Sequence, residues 1–148
     1  MKAPAAIALL ASFLGTTTAQ QTTPLGSVTF NAPQCGGGKN NHIDAADCNT
    51  AVPQLLSAHC TNGVCSIPPA TQGAQESAIS VTVGHCEVFI GAFANGNAVT
   101  FDEQSVQDAF PNFISGCLAT SGGFGSPLLI STDGVLRLVI SNGESGGG

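Results

Sequence analysis

Three histidines, nine carboxylates and six cysteines are the groups in this 148-residue chain whose types could do chemistry. Their spacing decides what chemistry that would be. His59 with Cys60 and Cys65 is the nearest approach to a metal cluster, but it does not make a zinc-site pattern, so no metal is expected. His42 and Asp44 form a His-x-Asp pair in which the carboxylate could orient the imidazole for acid–base work. The plainer reading of Asp44 is a helix cap, because an apolar-periodic run follows it. Gly-x-Ser-x-Gly and His-Glu-x-x-His do not occur, nor does the Cys followed by His-Asp of secreted fungal phospholipases. Glycoside hydrolysis needs two carboxylates facing each other across a cleft, and the spacing of the nine acids singles out no pair. Gly36-Gly37-Gly38-Lys39 lacks the Walker spacing, and Gly122-Gly123-Phe124-Gly125 leads into a strand. Neither is expected to hold a phosphate, and no cofactor is expected.

Neutral groups offer more. Asn40-Asn41-His42 and Asn95-Gly96-Asn97 are turn-forming corners whose side-chain amides suit hydroxyl groups. Phe124 in its glycine loop is placed to present an aromatic face, and Phe101 is a second aromatic outside the periodic core positions; Phe89, Phe110 and Phe113 are expected in the core. Asn40, Asn41, His42, Asp44, Asn95, Asn97 and Phe124 are therefore the candidate ligand-binding residues, and none is assigned a catalytic role.

The cysteines have another use. Lys2, the apolar run from Ala5 to Leu14 and Thr17-Thr18-Ala19 read as a cleavable export signal over residues 1–19. An even cysteine count downstream of such a segment predicts three disulfides joining Cys35, Cys48, Cys60, Cys65, Cys86 and Cys117 in a secreted, extracellular protein. Six cysteines allow fifteen connectivities, and a staple from helix to sheet through Cys48, Cys86 or Cys117 is expected. Cleavage leaves Lys39 and Arg137 as the cations, one positive charge fewer than in the full chain, whose net charge is −6. Two isolated cations cannot grip a phosphate backbone or an anionic membrane surface, so neither nucleic acid nor membrane insertion is expected.

The elements that must position these groups follow from periodicity. Residues 20–26 read as a loose leader and Ser27–Asn31 as a short strand. Asp44 caps a first helix with Cys48, Ala51/Val52 and Leu55 on one stripe, interrupted or kinked at Pro53. Cys60 to Gln75 reads as loop with a turn at Thr61-Asn62-Gly63. Ala78–Val83 and Cys86–Phe93 alternate as two strands about Gly84-His85, with Cys86, Val88 and Ile90 on one side and Phe89 and Phe93 on the other. Thr100-Phe101-Asp102-Glu103 is a capping-box pattern for a second helix that runs to Cys117 and bends at Pro111. Thr132-Asp133-Gly134 joins a terminal hairpin of Leu128–Ser131 and Val135–Ser141, and Ser141 to Gly148 is a Gly-rich, fraying end. The expected fold is α+β: a two-layer sandwich of one mainly antiparallel sheet of about five strands and two helices, in a single domain over residues 20–148.

Asp47-Cys48 opening an apolar helix to Leu56, Gly84-His85-Cys86 at a strand start, a helix ending in Ile114 to Cys117, and a glycine loop before a Leu-rich last strand together resemble small secreted cysteine-rich fungal proteins of the killer-toxin-like and effector-like type. The plan is also similar to that of an ink-cap mushroom glycan-binding protein. The resemblance spans about Asp44 to Ser141 and implies a non-enzymatic defence or interaction protein, lectin-like or directed at a cell-surface protein. The killer toxins, as the resemblance has them, use basic surface residues, which this chain lacks. A small hydrolase using a carboxylate pair or His42 is the alternative in a different class, with His42, Asp44 and Asp102 the residues whose substitution would test it. A wall-associated structural protein or an enzyme inhibitor is the third.

Overall fold

Alternation of aliphatic with polar or aromatic residues builds the centre of the protein, the hairpin of β4 (Glu76–Val83) and β5 (Cys86–Phe93). In a strand successive side chains point to opposite faces. Ile79, Val88 and Ile90 are thereby buried on one face, while Ser80 and Phe89 lie across from each other on the other. The computed structural model describes residues 21–36, 42–71, 74, 76–121 and 125–143. The segment read as an export signal, the last five residues, Asn40, Asn41 and Phe124 lie outside the described residues.

Around that hairpin the order is β1 (Thr22–Gly26), α1 (Ala45–His59), β2 (Cys60–Thr61), β3 (Val64–Ile67), β4, β5, β6 (Ala98–Asp102), α2 (Glu103–Ser121), β7 (Leu128–Ile130) and β8 (Leu136–Ser141). The strands form two four-stranded sheets, β1-β6-β3-β2 and β4-β5-β8-β7, antiparallel except where β1 runs parallel to β6. The fold is α+β with two helices and three disulfides, but the single sheet of about five strands is replaced by two sheets. Short strands made the difference. Asn62 and Gly63 both take positive φ, as a two-residue type I′ hairpin requires. That turn pairs Cys60 with Cys65 and Thr61 with Val64 inside the stretch expected to be loop. β6 occupies Ala98–Asp102, so Thr100 lies in a strand rather than in a capping box; Ser105 Oγ instead donates to Asp102 Oδ2 at 3.3 Å in the first turn of α2. The expected leader is an edge strand. Pro24 is tolerated there because an edge position can spare an N–H. Ser27–Asn31 holds only an isolated bridge, Phe30 to Ser131.

α1 packs on the inner face of the second sheet and against α2. Asp44 caps it, its Oδ1 accepting from Ala46 N at 2.7 Å. Both helices run through their prolines, Pro53 and Pro111, without breaking. Cys48 in α1 joins Cys86 at the start of β5, the expected staple from helix to sheet, and Cys35 joins Cys117 of α2. Cys60 pairs with Cys65 across the β2–β3 hairpin, so these two are bonded to each other beside His59. Three disulfides fit an oxidising, extracellular setting. Among the described residues no helix is long and apolar enough to cross a membrane.

Candidate functional site

The face of the β4-β5-β8-β7 sheet turned away from the helices is built by the residues that the alternation leaves over. Phe89, Gly91 and Phe93 stand at every second position of β5, and the register sets Val139 beside Phe89, Arg137 beside Gly91 and Glu76 beside Phe93. On this face the Arg137 guanidinium lies between two rings, 5.1 Å from the Phe89 centroid and 5.2 Å from that of Phe93. Cation–π contact favours such stacking. Glu76 grips the same guanidinium from β4 in a two-point ion pair, Nε with Oε1 and Nη2 with Oε2 at 2.6 Å. The two-point geometry fixes the plane of the fork. Gly91 makes the arrangement possible. A Cβ there would stand 2.7 Å from Phe89 Cε1, 3.0 Å from Arg137 Nε and closer still to Glu76 Oε1, so only glycine leaves room for the pair to lie on the sheet.

Phe93 is 48% exposed, one of two large hydrophobic residues in the described chain that are open to solvent. Its backbone N–H donates to Val135 O, which ties the end of β5 to the β7–β8 hairpin. That hairpin is itself pinned: Asp133 Oδ1 accepts from Ser131 Oγ and from Val135 N, and Ser131 Oγ accepts from Leu136 N. The Ser131 bond first, then the Val135 bond, holds the Asp133 carboxyl below its ordinary range against a small opposing effect of burial. Directly beyond Phe93, Asn95 takes positive φ and is exposed, and Asn97 N donates to Ala94 O. The corner therefore does form a turn, and it lies two residues from the exposed ring.

The other candidates lie at the far end of the same strand. Asp44 N donates to His85 O, and Asp47 Oδ2 accepts from His85 N at 2.7 Å, so the start of α1 is bound to the Gly84-His85 turn. The length of β5, about 25 Å at ~3.3 Å per residue, separates this end from Phe93. The structure thus brings Asn95 and Asn97 near the aromatic face and keeps His42 and Asp44 away from it. His42 and Asp44 line a shallow hollow of about 470 Å³ with Ile114, Ser115 and Leu118. Asp44 is the carboxylate in that lining and is engaged as a helix cap, while Asp102 lines a different hollow beside Pro24 and Val64. No group of three or more His, Cys, Asp or Glu side chains suited to a metal occurs among the described residues.

The expected roles of two phenylalanines are exchanged. Phe101 is 1% exposed and belongs to the core with Phe110 and Phe113, whereas Phe89 lies on the outer face. Residue-type reasoning passed over Glu76, Phe89, Gly91, Phe93 and Arg137 as a group. The signal was there in part: the alternation already put Phe89 and Phe93 on one side of β5 and Arg137 opposite Leu136 and Leu138. What it lacked was the strand register that sets them beside each other. No family model, no curated protein and no solved structure matches the chain.

Proposed function

We propose that this is a secreted, non-enzymatic glycan-binding protein that takes sugar on the outer face of the β4-β5-β8-β7 sheet. The observation that carries the reading is the stack of Phe89, Arg137 and Phe93 over Gly91, with Phe93 open to solvent. An aromatic face is the negative side of a quadrupole and suits the weakly positive C–H face of a pyranose. Glu76 and Arg137 supply a fixed acceptor and donor pair beside it for ring hydroxyls, and Asn95 and Asn97 supply amides at the rim. Because Glu76 neutralises Arg137, the site favours a neutral sugar over a sulfated or phosphorylated one. Rigidity favours binding as well, since the side chains are held in place before the ligand arrives and little ordering entropy remains to be lost. The resemblance in plan to an ink-cap glycan-binding protein points the same way, and the disulfides and the expected export signal fit secretion.

A glycan array probed with the disulfide-intact protein lacking residues 1–19 tests the proposal. Binding to neutral oligosaccharides above background is expected. An empty array at high micromolar protein would dispose of the lectin reading and leave a protein surface as the target of this face.

A further inference from the structure

A second surface lies on the helix side of the molecule. Between α1 and α2 runs a cleft of about 350 Å³, within the range of small-molecule sites. Buried Leu56, Phe110 and Ile114 form its floor, and Pro53 and Pro111 stand on either wall. The paired prolines have a consequence for hydrogen bonding. A proline inside a helix has no N–H for the carbonyl four residues earlier, which here means Asn49 and Gln107. Both residues line the cleft.

The side chains at the rim add to this bias toward acceptors. Ser57 Oγ donates to Gln54 O at 3.0 Å, and Gln107 Nε2 donates to Glu103 Oε1 at 2.7 Å, so these two donors are already engaged. Glu103 is half-buried and is the charged residue of the lining, and neither lysine nor arginine contributes to it. An apolar floor edged by one carboxylate, with no cation in the lining, calls for a ligand of opposite character: apolar in body and positive at one end.

We propose that the cleft between α1 and α2 is a binding site for a small amphipathic amine, its hydrocarbon part on Leu56, Phe110 and Ile114 and its ammonium against Glu103. The sheet face is separate from this cleft, so the inference stands without the glycan reading. Titrating n-octylammonium, octanol and octanoate into the isotope-labelled protein, followed by amide chemical shifts, tests it. Octylammonium should shift Val52, Leu56, Gln107 and Phe110 to saturation, and octanoate should not. Glu103→Gln should weaken octylammonium about fivefold, the size expected of a partly exposed charge pair. Ser57→Phe, at an exposed rim position, should fill the cleft and abolish the shifts with the fold intact. Octanoate or octanol binding as tightly as octylammonium, an unchanged affinity in Glu103→Gln, or the absence of shifts in the cleft would overturn the proposal.

Discussion

The two faces of the β4-β5-β8-β7 sheet are made by the same strands and differ in composition. The inner face carries Ile79, Val88, Ile90, Leu129, Leu136, Leu138 and Ile140, all 5% exposed or less, with Cys86 tied to the helix above. Aliphatic side chains of this kind interdigitate and contribute through buried area and close packing. The outer face carries two phenylalanines, an arginine and a glutamate, which bury less and present directional chemistry. Where a sheet has helices on one side alone, polar residues are the ordinary choice for the other side. Phe93 left half open there is the departure, and in the proposed reading its ring is the place where a ligand stacks.

If the inner face is for stability, breaking it should cost the most. Replacing Cys48 and Cys86 together by alanine should lower unfolding free energy by about 4 kcal/mol, since their separation of 38 residues sets the loop closed in the unfolded chain. Denaturant titration reads this directly. Leu138→Ala, at a fully buried position, should cost about 2–5 kcal/mol through lost burial and a cavity, while sugar binding at ligand-saturated, folded protein is retained. Gly91→Ala should behave the opposite way. Its Cβ must displace Glu76, Phe89 and Arg137, at a cost in stability of about 1–3 kcal/mol, and should remove binding altogether. Equal binding by Gly91→Ala and wild type would mean that the stacked arrangement is not what the ligand meets.

The smallest effect concerns pH. Asp133 pins the hairpin whose Val135 carbonyl holds the Phe93 amide, and its carboxyl is held low chiefly by the Ser131 hydroxyl. A folded-state value below the unfolded one means that the stabilisation is fully present above about pH 4 and fades as pH falls through the lowered value. Asp133→Asn should therefore be less stable than wild type at neutral pH, and melting temperatures of the two should converge as pH falls below about 4.

Much of this arrangement was legible in the chain. Periodicity placed Cys48, Ala51 and Leu55 on one stripe, Asp44 at the helix start, Asp133-Gly134 in a hairpin and Cys86, Val88 and Ile90 together on one side of β5. The β1-β6-β3-β2 sheet was not legible, because two- and four-residue strands such as β2 and β3 are too short to show alternation and are set by pairing with each other and, for β3, with β6. The stacked group on the outer face was not legible for a related reason. Asn95, Asn97, His42 and Asp44 were chosen as polar residues at corners, and the register that makes Arg137 a neighbour of Gly91 is a long-range pairing across the sheet. Phe101 is in the core because it stands in β6, a strand the sequence does not announce, and Phe89 is on the outer face because Val88 and Ile90 take the inner one.

The central claim, that the outer face is built for recognition rather than for stability, is tested most directly by applying wild type and Phe93→Ala to the same glycan array at matched concentrations of folded protein. Because Phe93 is half exposed, the substitution should cost only about 0.5–1 kcal/mol, mostly its contact with Arg137. The account predicts a set of neutral oligosaccharides bound by wild type and lost in Phe93→Ala, with little change in melting temperature. The same oligosaccharides bound equally by both proteins would contradict it.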